Sequence, residues 1–377
     1  MRHANPPPGT LPPAPDRDRA DDPAHRPAPG RATTACKTAA AAAVLTAVLA
    51  VSVLAAIGLG AAVVPPEDTA RYLWAALSGG AIGADEVPRY QIVWQIRTPR
   101  VLLAAVVGAG LGAAGVAVQA MVRNAVADPF VLGVSSGASV GAVAVTVTGG
   151  LAAFGIHAVS VGAFLGAAAA TLLVYLVART RTGVGPLRLV LTGVAMSFAF
   201  QALMSVIVYL APNSEATATV LFWTMGGFGA ATWGALPAVT AVVVAGVLVL
   251  RGLGRPLDAM ALGDETAASL GVDTDRLRRI LFVLTAAMTG AMVAVSGVIG
   301  FVGLVVPHAV RITAGAGHRR VLTLAPLVGA VLMVWVDLAS RVLAAPRELP
   351  VGVLTALVGV PVFVALMRRR AYLFGGR

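Results

Sequence analysis

Cysteine is almost missing from this chain. Cys36 is the only one in 377 residues, which excludes a disulfide framework and a thiolate metal site. Charge is scarce as well: Asp, Glu, Lys and Arg together make up 12%, against 58% apolar residues, which leaves no room for a large soluble domain. The common catalytic motifs are absent, with no H-E-x-x-H, no G-x-S-x-G and no GxxxxGK[ST]. Without a P-loop, transport driven by ATP needs another chain to bind the nucleotide. No series of carboxylates runs through the apolar segments, as an ion-coupled carrier would usually show. What is present is a mean hydropathy of +0.85 and a succession of long apolar runs. These describe an all-α polytopic membrane protein. The net charge of +11 is no nucleic-acid footprint, because the basic residues punctuate apolar runs and form no stripe. Positive charge at cytoplasmic loop ends accounts for them.

The chain divides into a tail and a membrane domain. Residues 1–37 hold nine of the 23 prolines and are expected to form a disordered cytoplasmic tail. Residues 38–377 are expected to form the transmembrane domain. Thr38 to Val64 carries no charge and exceeds the ~7–15 residues of a secretory apolar region, so it reads as a retained first span. Glu67 to Arg97 is polar and is predicted to hold a short surface helix, with Tyr72, Trp74, Tyr90 and Trp94 as interfacial anchors. Further spans are predicted near 100–121, up to 149, 157–178, 187–210, 235–250, 280–296, 300–313, 321–343 and 351–367. Several fall short of the ~20 residues of a straight spanning helix. Such interrupted segments are tolerated where protein or a water-filled cavity covers the backbone.

Ten spans put both termini on one side. Counted that way, 22 of the 28 Lys and Arg residues fall on the side of the termini and of the 258–279 loop, which places all three in the cytoplasm. Within the spans, Asp337 and Arg341 stand four apart in the order that favours an ion pair. That pair fits function or a structural bridge equally. His308 is a lone histidine, read as a packed side chain. Pro186 to Gly193 and Leu349 to Ala356 are alike and start on opposite sides, a faint inverted repeat of the kind transporters carry.

The most polar insert is Asp258 to Arg279. Asp264 and Glu265 sit where a helix begins and acids suit its positive end. Gly271 follows Leu270 as a C-terminal glycine should, and Ala267 and Leu270 are expected to share a face with Gly271. The insert is either a solvated loop or a helix by which a soluble partner grips the membrane domain.

The motifs are similar to those of the FecCD-type permeases of ATP-binding-cassette importers for iron–siderophore, haem and cobalamin. The resemblance covers roughly residues 67 to 370. It begins with Arg97-Thr-Pro-Arg100, Gly108 and Gln119, and continues with Asn124, Ala127-Asp-Pro129, Leu132-Gly133, Ser135 and Gly137-Ala138. Trp223 and Gly226-Gly227 follow, then Ala261-Leu-Gly263, Ala267 and Leu270-Gly271. The last blocks are Gly297, Ile299, Phe301, Gly303-Leu304, Pro307-His308 with Arg311, and Asp337, Arg341, Glu348-Leu-Pro350, Gly352, Thr355-Ala356, Gly359 and Pro361. Asn124-Ala125 departs from the Asn-Pro usual there, and the long tail is also unusual.

The resemblance implies a type II importer architecture with an inverted repeat and about ten helices, in a bacterial cytoplasmic membrane. It implies a second permease subunit, the same chain or a similar paralogue, and an extracytoplasmic substrate-binding protein. It also implies two cytoplasmic ATPases, which bind ATP and Mg; no catalytic residue, metal or cofactor is assigned to this chain, and ferric siderophore is the commonest cargo class. Leu262, Gly263, Asp264, Glu265, Ala267, Leu270 and Gly271 become the ATPase-coupling segment. Arg97 and Arg341 match positions that meet acids of the binding protein. The fifth and tenth spans line the path, with Thr192, Gly193, Gly352, Thr355, Gly359 and Pro361 as path or helix-packing positions.

Overall fold

The computed structural model describes residues 31–60, 63–180, 185–211 and 215–368. Most of the expected tail and the C-terminal residues 369–377 lie outside these, so the expectations placed on them do too. Six described helices are long and apolar enough to cross a membrane. They are α1 (Arg31–Gly58), α4 (Thr98–Met121, continuous with the turns before it), α6 (Ala158–Ala178), α7 (Pro186–Tyr209), α12 (Thr274–Ser296) and α14 (His318–Val342). α9 (Leu236–Gly252) and α10 (Gly254–Ala261) form a pair bent by 59°. α5 (Val134–Thr148), α13 (Val302–Ala314) and α15 (Val351–Arg368) are shorter apolar helices. Each of the ten predicted segments is therefore helical. The remaining helices are α2 (Pro66–Ser78), α3 (Val87–Gln91), α8 (Glu215–Met225) and α11 (Asp264–Ser269).

The centre of the fold is α4. From Val107 to Met121 all but Ala109 are buried, so this helix touches protein on every side, as an evenly apolar helix must. Its small residues decide how close the neighbours come. A β-carbon at Gly108 would overlap the Gly329 carbonyl of α14, and one at Gly115 would overlap the Gly303 carbonyl of α13. Backbone contact of this kind is how membrane helices gain dispersion energy when lipid offers no hydrophobic drive.

Three boundaries differ from expectation. α1 takes in Arg31 to Lys37, assigned above to the tail, and it stops at Gly58 rather than Val64. α12 starts at Thr274, six residues before the expected Ile280, because Asp273 caps it: its carboxylate accepts the Arg276 N–H at 2.9 Å. Tyr72 is no interfacial anchor. It is fully buried and packs edge-on against Tyr90 at 6.2 Å, whereas Trp74 is exposed.

α7 stands apart energetically. Only Leu189 and Gly193 are buried, and an apolar surface that includes Leu191, Phe198 and Val206 is exposed. A helix this apolar needs lipid or another chain around it.

Candidate functional site

The polar insert is an elbow followed by a short helix. α9 ends at Gly252 and α10 turns away, its Leu257 and Met260 buried against the membrane domain. Gly263 then takes φ +110°, a region closed to residues with a β-carbon, and starts α11; Gly271 at φ +80° ends it. One expectation is corrected here. Ala267 does not share a face with Leu270: Ala267 is fully buried and Leu270 is 63% exposed. The reason is that Ala267 is the anchor, with its carbonyl accepting the N–H groups of Leu270 and Val272. The large apolar side chains presented outward are Leu262, at 66% exposure, and Leu270. They bracket α11 at its two ends, with Glu265 exposed between them.

Charge fixes α11 to the helices behind it. Asp264 Oδ1 accepts from Arg278 Nη2 at 2.6 Å, and Arg123 Nη2 lies 3.7 Å from Asp264 Oδ2. Arg278 is buried, so the pair at Asp264 joins α11 to α12, while Arg123 ties it to the end of α4. One turn of chain earlier, Asp258 Oδ1 accepts the backbone N–H of His318 at 2.9 Å and meets its Nδ1 at 2.7 Å. Side-chain contacts thus join this short segment to α12 and α14 and to the residue after α4.

The opposite end holds a buried charge cluster. Asp337 is fully buried. Arg100 Nε donates to its Oδ1 at 2.8 Å, and Arg341 Nε lies 3.1 Å from its Oδ2. Arg100 Nη1 also donates to both oxygens of Glu348, at 2.8 and 2.9 Å. Arg341 donates to the carbonyls of Leu59 and Ala56, and Arg97 to those of Ile57 and Gly58. Three guanidinium groups thus face two carboxylates, and the excess is met by the negative C-terminal end of α1. The same carbonyls explain why α1 stops at Gly58: its orphan acceptors have found side-chain donors.

Arg97 and Arg341 are both turned inward, at 6% and 7% exposure, and both donate to carbonyls at the end of α1. The ion pair of Asp337 with Arg341 was legible from its spacing. Arg100 and Glu348 entered only as motif positions, since partners more than 200 residues apart leave no local signal.

A cavity of 640 Å³ opens beside α15. Gly352 and Pro361 of α15 line it, with Thr224 and Met225 of α8 and Val298 and Phe301 before α13. Gly352 packs on the carbonyls of Met225 and Val298, and a β-carbon at Gly359 would meet Phe301 Cβ at 2.6 Å. Thr355 is buried and its hydroxyl donates to the Gly352 carbonyl at 3.0 Å. Thr192 and Gly193 are not part of this cavity. Gly193 sits against the Val131 carbonyl in the turn before α5, while Thr192 beside it is half-buried.

The family model of the FecCD transport family matches residues 48–369. The chain belongs to the FecCD transport family. It is 37% identical over 326 residues to YvrB of Bacillus subtilis, an uncharacterized ABC transporter permease protein, covering 85% of this chain and 91% of that one. It is 36% identical over 280 residues to FecD of Escherichia coli, named as an Fe(3+) dicitrate transport system permease protein, covering 74% and 86%. Relatives of comparable identity are named for hemin, cobalamin and molybdate. A solved structure described as an inward-facing metal-chelate type ABC transporter superposes with a TM-score of 0.74 at 31% identity, covering 86% of this chain and 98% of that one.

As a FecCD family member, the chain is an integral membrane permease of the ABC importer class, and the loop between α4 and α5 gains interest. Asp128 opens a 3₁₀ turn, Pro129–Leu132, and its carboxylate accepts from the Phe130 N–H at 3.0 Å and from the Phe301 N–H. It so ties this loop to the residue that starts α13 and faces α15. Burial pushes the Asp128 carboxyl up to about 6, against the pull of those two hydrogen bonds. A carboxyl raised on folding stabilises the fold fully below its unfolded value near 3.8, and that contribution is lost as pH rises through about 6. Asp128→Asn keeps the acceptor without the charge. We expect its thermal midpoint in detergent to stay level between pH 5 and 8, where the wild type falls by a few degrees. Equal slopes for the two proteins would remove the argument.

Proposed function

We propose that this chain is the membrane-spanning subunit of an ATP-driven importer that takes a ferric siderophore from an extracytoplasmic binding protein. The observation that carries the proposal is α11, a short helix presenting Leu262 and Leu270 outward while Asp264 locks it to Arg278. An apolar edge on a rigid handle at the polar end of a membrane domain needs a groove to bury it. A soluble ATPase supplies that groove, one on each of two permease copies, and brings the ATP and Mg that this chain does not bind.

The asymmetry of basic residues supports placing α11 and both termini in the cytoplasm. The exposed apolar surfaces of α7 and α15 support a second permease copy around a shared path, with lipid covering the remainder. A closed two-fold pair is the commonest solution for identical chains, and a similar paralogue is the alternative partner. With Arg97 and Arg341 turned toward α1, the exposed basic residues Arg71, Arg89 and Arg347 support contact with an extracytoplasmic partner on that face.

The names of relatives support the cargo reading. A name for Fe(3+) dicitrate among them supports a ferric chelate, and names for hemin and cobalamin support the alternative. A deletion strain given radiolabelled ferric siderophore, haemin and cobalamin separates them. We expect siderophore-borne iron alone to fail to accumulate. Loss of haemin or cobalamin uptake instead would move the cargo, and normal uptake of all three would end all three cargo readings.

A further inference from the structure

We propose that the groove between α6 and α12 holds one acyl chain of an anionic phospholipid, with its headgroup on Arg279. The cavity there measures 460 Å³. It exists because the two helices place small side chains on its floor: Ala168 from α6, and Ala286, Ala287 and Gly290 from α12. Phe164 and Gly290 mark one end, with the ring 3.6 Å from where a Gly290 β-carbon would stand. Tyr175, Phe282 and Arg279 mark the other, the two rings 5.7 Å apart.

Polarity along the groove is one-sided. The Thr171 hydroxyl, midway, is turned to its own helix and donates to the Ala167 carbonyl at 2.7 Å. The remaining polar groups of the lining are Tyr175 and Arg279, both at the α11 end. Arg279 is exposed and forms no ion pair among the described residues.

Length decides the occupant. From Arg279 to Gly290 the helix rises about 16 Å, and one leaflet of the hydrocarbon core is about 15 Å deep. A chain lying in the groove therefore starts at Arg279, at the depth of the headgroups, and ends at Phe164, at the bilayer midplane. A cation at the rim and an apolar trough one leaflet long match an anionic phospholipid. A helix of a second protein would fill the trough and leave Arg279 without an anion. The inference needs only the membrane placement of α12 and holds whichever side α11 faces.

Native mass spectrometry of the detergent-purified transporter, exchanged with equimolar dioleoyl-phosphatidylglycerol and dioleoyl-phosphatidylcholine, tests it. The wild type should retain phosphatidylglycerol preferentially. Arg279→Gln should lower that retention about fivefold, the size expected of one arginine beside anionic headgroups, and leave phosphatidylcholine unchanged. Ala168→Phe fills the trough and should lower both lipids, while Ala169→Phe, next door and outside it, should lower neither. Arg279→Gln changes an exposed side chain and decides the question if Ala168→Phe disturbs the fold. Retention in Arg279→Gln and Ala168→Phe equal to wild type would overturn the proposal. So would an Ala168→Cys self-disulfide in a Cys36→Ser background, because the groove would then be covered by a second copy.

Discussion

Replacing Asp337 by alanine should lower the unfolding free energy by roughly 3–5 kcal/mol, the cost of stripping one partner from a buried ion pair. Asp337 is fully buried between Arg100 at 2.8 Å and Arg341 at 3.1 Å. Without it, Arg341 keeps only neutral carbonyls of α1, and Arg100 keeps only Glu348. The fold should loosen where α1, α4 and α14 meet, and the subunit should be depleted from the membrane. Glu348→Gln is the contrast. The Glu348 side chain is 51% exposed, so water screens its pair with Arg100, and the loss should be below ~1 kcal/mol. Asp337→Asn should fall between the two, since it keeps an acceptor and loses the charge. Thermal unfolding in detergent, followed by size-exclusion chromatography, ranks the three. If Asp337→Ala and Glu348→Gln prove equally mild, the cluster does not hold these helices together.

The same cluster shows what the sequence can and cannot say. Ten helical segments were legible because apolar runs in lipid must satisfy their backbone internally, and helices do this. Asp337 with Arg341 was legible because i, i+4 neighbours share a helix face. The start and stop of α11 were legible from Asp264, Glu265 and Gly271, since capping chemistry is local. Other features depend on segments far apart in the chain. Arg97 and Arg341 looked like surface residues because arginine near a span end usually is one. Only the arrival of the α1 carbonyls reveals that they are helix caps. Arg278 gave no hint of Asp264, because the two stand on separate helices, α11 and α12, and the break at Gly271 decides how those helices face each other. Ala267 was grouped on one face with Leu270 by spacing, yet in this six-residue helix Ala267 is buried and Leu270, just past its end, is exposed. Resemblance to a family singled out several of these positions, but it did not supply their orientation.

Leu270→Asp should reduce binding-protein-stimulated ATP hydrolysis and uptake by at least tenfold while leaving the subunit folded and inserted. Leu270 is 63% exposed, so the free subunit pays little for the new carboxylate. In the assembled transporter the same position is expected to lie in the ATPase groove. There an unpaired charge must be desolvated, and the penalty is several kcal/mol, more than the tenfold effect requires. Leu262→Asp, at the other end of α11, should act in the same direction by the same argument. Ala267→Asp separates docking from folding. Ala267 is fully buried, so a carboxylate there breaks the packing of α11 itself and should lower thermal stability of the isolated subunit, which Leu270→Asp should not. Co-purification of the ATPase with each variant, together with stimulated hydrolysis in proteoliposomes, gives the two readouts. Loss of co-purification with an unchanged thermal midpoint is the signature of a docking residue. Wild-type hydrolysis and uptake in Leu270→Asp would mean that the ATPase grips another surface, and that α11 is a rigid loop with two exposed leucines.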